Sequence, residues 1–298
     1  MNIAFFSTSN RTLPLLKTLH KVSNVKLCIT KEDVRVGRKQ TLVENPIKIW
    51  ARKNKVKCIQ IKGSLSDVGS KNIDLGIVID FGVIIPKNVI ESFSGNLINI
   101  HFSLLPKYRG ASPVQFAILN GDSKTGVTYQ YIHEKMDEGD ILRQIEYKMT
   151  NKETFGHLFL KLLDSVIEDI PTFINDYGKN KITPLPQDEL KATYTFSKTN
   201  PKITTVSKED AFIDFTEKPA LIERMSRAFS PWPIVWTHLD HFSNLGYTLK
   251  NKEKGPLKVK LHEVGLLGGK KIEVVRIQPE GKSVMGWKSF ANGYLSAE

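Results

Sequence analysis

Only two cysteines occur in 298 residues, Cys28 and Cys58, each within an apolar, strand-like run. Thiols so few and so placed exclude a disulfide framework or a thiolate metal cage, and they fit small buried side chains in a reducing compartment. No stretch approaches the roughly eighteen apolar residues a membrane span requires, and the opening MNIAFFSTSN has a short apolar run with no basic lead. A cytoplasmic protein with no export or anchoring segment and no membrane partner is expected. The first strand-to-helix turn, STSNRTL, contains no glycine, so the dinucleotide fingerprint is missing, and no GxxxxGK[ST] loop stands anywhere. Nicotinamide, flavin and direct ATP or GTP chemistry are therefore disfavoured. His133-Glu134 with Asp137 lacks the second histidine one helical turn on that a zinc-binding helix needs, so no metal is expected.

What is present is ordinary in bulk and unusual in charge. A hydrophobic fraction of 40% with 25% charged residues suits a globular chain, and the length allows two domains. The formal net charge of +12 is high for a metabolic enzyme of small anions and natural for a protein that docks on phosphates. A lysine-rich surface without a partner is the alternative reading.

Apolar periodicity predicts strands over 2–7 and 25–30 around a helix over 12–21, then a helix over 46–54 and strands over 57–61 and 74–79. This βαβ order predicts a doubly wound α/β sheet. A strand over 96–102 follows, and period-two geometry puts Asn99 and His101 on one of its faces, at the carboxyl end where open α/β sheets bind ligands. An amide donor and an imidazole there suit acyl chemistry. Further strands are predicted over 126–132 and 141–147, and the loop HEKMDEGD between them carries Asp137, with Gly139 permitting a tight return beside the first strand's end. A helix over 154–177 completes this domain.

The combination of NxH at Asn99 and His101, SLLPKYRG, AILNGDSKTGVT and the loop with Asp137 resembles the folate-dependent formyltransferases. The resemblance implies a catalytic set of Asn99, His101 and Asp137. It implies 10-formyltetrahydrofolate as cosubstrate, with Ser103, Leu104, Leu105 and Pro106 lining its site. Phe81, Gly82 and Ile85 would wall the pocket for the flat pterin ring. The polar loop KEDVRVGRKQTLVEN over 31–45 resembles the insertion with which methionyl-tRNA formyltransferases contact the tRNA acceptor arm; the match covers Asp33, Gly37, Arg38, Leu42, Pro46 and Lys48. Gln40 and Thr41 stand where that group commonly has a dibasic pair, while Arg35 and Lys39 add charge nearby. Arg35, Arg38 and Lys39 are the expected tRNA contacts, and Arg109, beside the site, is a candidate for a phosphate or carboxylate.

Residues 181–208 are rich in Pro, Thr and Lys without apolar period and read as a linker between a catalytic domain over 1–180 and a second domain over 209–298. ATY, PKIT, EDAFIDF and FSPWP follow the order of the methionyl-tRNA formyltransferases, so the resemblance spans almost the whole chain. The second domain has a predicted helix over 220–229 and short strands over 234–238, 257–264 and 271–278, which with the family analogy implies a Rossmann-like formyltransferase domain followed by a small OB-like β-barrel. Lys250, Lys252, Lys254, Lys258, Lys260, Lys270, Lys271 and Arg276 crowd it and suit phosphates. Formyl transfer to the α-amine of methionyl initiator tRNA by a monomeric enzyme is the implied function. A sugar-nucleotide or small-amine formyltransferase, a hydrolase of the folate donor and a basic RNA-binding protein with a vestigial core are the competitors.

Overall fold

In the computed structural model, which describes residues 1–37, 40–66, 68–69, 71–196, 205–250 and 257–296, the most apolar runs of the chain lie side by side in one sheet. The chain begins β1 (Asn2–Phe6), α1 (Leu13–Val22), β2 (Asn24–Lys31) and continues through β3 (Val34–Val36), β4 (Thr41–Val43), α2 (Pro46–Lys53), β5 (Lys57–Ile61) and β6 (Leu75–Ile79). Then come α3 (Lys87–Ser92), β7 (Leu97–His101), α4 (Pro113–Asn120), β8 (Lys124–Tyr131), β9 (Ile141–Lys148) and α5 (Phe155–Gly178). Seven of the strands form one sheet in the order β5-β2-β1-β6-β7-β8-β9. Strands β5 to β7 run parallel and β8 pairs antiparallel with β7.

Sequence chemistry accounts for these elements locally. LGIVI of β6 is buried at every position, as a parallel strand covered on both faces must be. Helix α2 starts where Asn45 accepts from the Ile47 amide (2.9 Å) and Pro46 fills the first helical position, which satisfies one orphan donor and needs no other. Phe6, Phe81 and Phe93 meet edge-on at 5.6 and 5.7 Å in a cluster with Ala4, Leu27, Ile29, Val78 and Leu97. Each large apolar side chain buried there contributes about 1.5–3 kcal/mol before chain entropy is subtracted. The chain lays β2 and β5 on one side of β1, then returns to lay β6 and β7 on the other. The strand order therefore reverses between β1 and β6, and a crevice at the carboxyl ends follows from that reversal.

The predicted polar loop over 31–45 contains a hairpin, β3 paired antiparallel with β4. Three-residue strands are too short for alternation to announce them. Val34 and Leu42 are both 54% exposed, so this hairpin is not held by a core. At its root Asp33 accepts from the Asn45 amide (2.9 Å), Gln60 (2.9 Å) and Lys48 (2.5 Å). Arg38 and Lys39 lie outside the described residues, as do Lys252, Lys254 and the PKIT segment.

The chain packs as two units. The first comprises Met1–Gly110, Gly126–Tyr147 and Leu160–Tyr194; the second comprises Ala111–Thr125, Lys148–Phe159 and Thr195–Glu298. Residues 181–194, which read as the start of a linker, thus belong to the first unit. Leu185 and Ile141 exchange backbone hydrogen bonds at 2.8 and 2.9 Å, a ladder that leaves no apolar period to detect.

The remaining elements are α6 (Pro219–Ala228), β10 (Val235–His238), β11 (Thr248–Leu249), β12 (Lys258–Leu267), β13 (Lys271–Pro279), β14 (Met285–Gly286), α7 (Trp287–Tyr294) and β15 (Leu295–Ser296). They supply a four-stranded antiparallel sheet ordered β10-β12-β13-β14 and a two-stranded ribbon of β11 and β15. Along β12, Val259 and Leu261 are buried while Lys258 and Lys260 take the alternate positions, so the strand divides into an apolar and a basic face. Helix α4 belongs to this unit. Its Val114, Ala117 and Ile118 are buried, and the Ser112 hydroxyl accepts from the Val206 amide at 3.1 Å. No helix among the described residues is long and apolar enough to cross a membrane.

Candidate active site

Strand β7 delivers Asn99 and His101 to the same sheet edge, and the loop between β8 and β9 brings Asp137 to them. The Asn99 amide donates to Asp137 Oδ1 at 3.2 Å, and His101 Nδ1 stands 3.6 Å from Asp137 Oδ2. His101 is 5% exposed and the Asp137 side chain 10%, so these two side chains are almost dry, while Asn99 is half-buried. All three expected catalytic residues converge, and all three lie in the first unit.

The surrounding hydrogen bonds define what each group has left to offer. His101 Nε2 is 2.9 Å from the Tyr108 carbonyl oxygen; a carbonyl only accepts, so Nε2 carries a proton. That leaves Nδ1 as the ring position able to gain or lose one. Asp137 Oδ1 also accepts from the Gln130 amide at 2.8 Å, and Oδ2 accepts from the Gly110 backbone amide at 2.8 Å. Gln130 faces Asn99 directly across the ladder. The carboxylate is therefore gripped on both oxygens while its Oδ2 still faces the imidazole. Asp137 itself has a φ of 57°, a left-handed conformation that an aspartate tolerates better than most residues.

Gly139 makes the loop possible. An added Cβ would lie 1.8 Å from the Tyr131 carbonyl oxygen, so only glycine lets the backbone double back against β8. Gly126 plays the same part earlier, because a Cβ there would meet the Ile145 carbonyl oxygen at 2.1 Å and Leu104 at 2.6 Å.

The segment SLLPKYRG is a braced turn. Ser103 is fully buried, donates to the Lys107 carbonyl (2.5 Å), and its own carbonyl accepts from Thr128 (2.7 Å). Leu105 is buried, its amide bonded to Thr128 Oγ1 (3.1 Å), while Leu104 and Pro106 are half-buried. At the strand-order reversal, Thr8 after β1 donates from its amide to the Asp80 carbonyl (3.2 Å) and from its hydroxyl to the Phe81 carbonyl (2.6 Å). The Phe81 ring points into the core, so this residue presents backbone at the edge. Gly82 is exposed with φ at 58° and Ile85 is half-buried against the core cluster. Asp80 Oδ2 is buried with no hydrogen-bond partner, an open acceptor beside this crevice. A buried acceptor calls for a donor, and an amino-bearing heterocycle supplies one. Sequence reading did not single out Asp80; its place after an all-apolar strand was the available signal.

Arg109 corrects the expectation of a phosphate- or carboxylate-binding side chain. It is fully buried, bidentate on Glu189 (2.9 and 2.6 Å), and bonded to Gln187 (3.1 and 2.9 Å) and Tyr194 (3.0 Å). The hydrogen bond to Glu189 makes the guanidinium hold its proton more firmly still. The physical reason is that residues 187–194 return to the first unit and enclose the guanidinium, which sequence distance concealed.

Of the three expected tRNA contacts, Arg35 is exposed on the β3–β4 hairpin and donates to the Gln40 carbonyl at 3.2 Å. Among the described residues one group brings metal-ligating atoms within 4.8 Å of one another: His238, Asp240 and His241, in the second unit. Lys258, opposite His238 in the ladder, holds its ammonium 3.7 Å over Trp236 beside them, which opposes a bound cation there.

Residues 1–172 match the formyl transferase family, and residues 205–295 match the family's C-terminal domain. A methionyl-tRNA formyltransferase from Listeria monocytogenes serotype 4b is 31% identical over 304 residues, covering 98% of this chain and 95% of that protein. A solved methionyl-tRNA formyltransferase from Clostridium thermocellum shares the fold with a TM-score of 0.60 at 18% identity, over 94% of this chain and 98% of the other. A sugar 3N-formyl transferase solved with dTDP and 5-N-formyl-THF superposes with a TM-score of 0.62 at 23% identity, over 95% and 99% of the two chains.

Proposed function

Because the chain belongs to the formyl transferase family, we propose that it transfers a formyl group from 10-formyltetrahydrofolate to the α-amine of methionine carried on initiator tRNA. The observation that carries this reading is the meeting of Asn99, His101 and Asp137 at the carboxyl end of β7, in a chain covered over 98% of its length by a relative of that name. The amine attacks the formyl carbon, a carbon–nitrogen bond forms, and negative charge develops on the formyl oxygen. The Asn99 amide and a protonated His101 Nδ1 are the two donors able to meet that charge. Asp137 stabilises the cationic imidazole across 3.6 Å. The Tyr108 carbonyl, bonded to Nε2, fixes the ring's orientation. As the bond to the folate nitrogen breaks, the amine's proton passes to that nitrogen, and His101 Nδ1 is the group positioned to relay it.

Low water access strengthens each of these interactions, because charges and dipoles act through a lower dielectric. Asp80 Oδ2 and the backbone of Phe81 and Gly82 offer polar groups for the pterin ring, with Ile85 beside them. The braced turn Ser103–Pro106 lies between the two catalytic segments. Arg35, Arg38 and Lys39 contact the tRNA phosphates, with Lys258, Lys260, Lys271 and Arg276 of the second unit adding basic charge. One chain carries the whole candidate set, which supports a working unit of a single chain.

The test offers labelled 10-formyltetrahydrofolate to the protein with charged initiator methionyl-tRNA and a charged elongator tRNA side by side. Rapid labelling of the initiator alone is the expected result. Folate turnover with no labelled tRNA moves the assignment to a sugar or small-amine acceptor, or to hydrolysis.

A further inference from the structure

We propose that Gln187 is a positioning residue for formyl transfer, holding the loop that carries Asp137 in register with Asn99 and His101; this rests on the reading of Asp137 as part of the reacting centre. Its carboxamide is bonded at both ends. Oε1 accepts from Arg109 Nε at 3.1 Å and from Nη2 at 2.9 Å. A guanidinium only donates, so this contact fixes which end of the amide is oxygen. Nε2 must then face the other way, and there it donates to the backbone carbonyls of Asp137 (2.8 Å) and Gly139 (2.7 Å), with Gln130 Oε1 at 3.2 Å. Gln130 in turn donates to Asp137 Oδ1 at 2.8 Å. Both the backbone and the carboxylate of Asp137 are thus tied to Gln187, once directly and once through Gln130.

The far side of the network is equally anchored. Arg109, bidentate on Glu189, presents its remaining edge to Gln187. Its backbone amide donates to the Thr193 carbonyl at 2.8 Å, and the Tyr108 amide donates to Thr193 Oγ1 at 2.9 Å. Tyr108 is the residue whose carbonyl orients His101. Residues 187–194 therefore brace two loops at once, the one that sets the imidazole and the one that sets the carboxylate. The amide of Gln187 joins Arg109 to the backbone of the Asp137 loop, while the Tyr194 hydroxyl and Arg109 itself reach the neighbouring Glu138 side chain at 3.4 and 3.6 Å.

A merely structural Gln187 would serve as a neutral cap on the buried guanidinium, and one substitution separates the two roles. Gln187→Glu keeps the shape and gives Arg109 a stronger acceptor, yet turns an oxygen toward two carbonyl oxygens where the donor stood. The expected result is a protein that stays folded with a modestly lowered melting temperature, kcat reduced by about ten- to a hundredfold, the scale of a small misplacement of a catalytic group, and KM for 10-formyltetrahydrofolate and initiator methionyl-tRNA within about threefold. Wild-type kcat in this variant overturns the inference. Should Gln187→Glu not fold, Gln187→Met is measured on its folded fraction, where wild-type kcat overturns the inference equally. Asp137→Asn is assayed in parallel. If it loses activity while the Gln187 variants do not, the positioning role alone fails; if it too retains wild-type kcat, the reading of Asp137 fails and the inference with it.

Discussion

Replacing Gly139 by alanine tests the geometry of the Asp137 loop with a single methyl group. The new Cβ would begin 1.8 Å from the Tyr131 carbonyl oxygen and 2.7 Å from its carbon, whereas real Cβ atoms stay beyond 3.0 Å. Backbone on one side must therefore withdraw by about 1.2 Å, the difference between those limits. Tyr131 is paired with Ile98 in the sheet and its amide is bonded to the Asp140 carbonyl at 3.0 Å, so the loop yields before the strand does. The hydrogen bonds of Asp137, now 2.8 to 3.2 Å, would stretch beyond useful range. Overpacking of this kind costs about 1–3 kcal/mol of stability, equivalent to a fall of about 2–12 °C in Tm for a chain of this class. Displacement of a catalytic group by about 1 Å lowers turnover by about a hundredfold. The assay is kcat at saturating 10-formyltetrahydrofolate and initiator methionyl-tRNA, with melting followed on the same samples. Gly265→Ala is the comparator, since a Cβ there finds its nearest atom at an ordinary 3.6 Å. A folded Gly139→Ala protein with wild-type kcat would refute the coupling between loop and chemistry.

Asn99→Ala and His101→Ala should each lower turnover by about a hundredfold or more while tRNA affinity measured by filter binding stays nearly unchanged; normal rates in both variants remove the assigned mechanism. The Lys48 ammonium, with the Asn45 amide, holds the Asp33 carboxyl down to about 2 from an ordinary 3.8. Its folded-state value is depressed, so its contribution to stability is present above pH 3.8 and is lost as pH falls towards 2. Asp33→Asn should flatten that limb of an acid-unfolding curve, and an unaltered limb refutes the assignment. Burial pushes the Cys28 thiol well above its usual range, so Cys28 should resist alkylation at pH 8 until denaturant is added, as peptide mapping would report. Arg35→Gln and Arg38→Gln should each reduce the slope of log affinity for tRNA against log salt by about one; an unchanged slope takes the hairpin out of the docking surface.

The meeting of Asn99, His101 and Asp137 is legible in the sequence because three of its determinants are local. Asn99 and His101 share a face by period two, and Gly139 marks the turn that returns Asp137. The doubly wound order was legible from apolar runs such as LGIVI. What escaped were contacts between polar residues far apart in sequence. Arg109 reads as a free cation until Gln187 and Glu189 are seen around it, 78 and 80 residues later. Residues 181–194 read as a linker because a strap held by backbone and carboxamide hydrogen bonds carries no hydrophobic period. The β3–β4 hairpin is three residues a side, below the length at which alternation separates strand from loop. Helix α7 was likewise unannounced, its WKSFANGY combining a glycine with mediocre helix formers.

The membership of α4 in the second unit bears on how the chain is made. During synthesis the helix emerges early, but Val206, whose amide Ser112 accepts, arrives 94 residues later. At the typical pace of about 5–20 residues per second, Ser112 waits about 5–19 s on the ribosome for that partner, with the apolar side chains Val114, Ala117 and Ile118 just beyond it in the chain. The second unit therefore completes itself only after its last segment is translated, and a chain cut short at residue 180 would carry α4 without the neighbours that bury it.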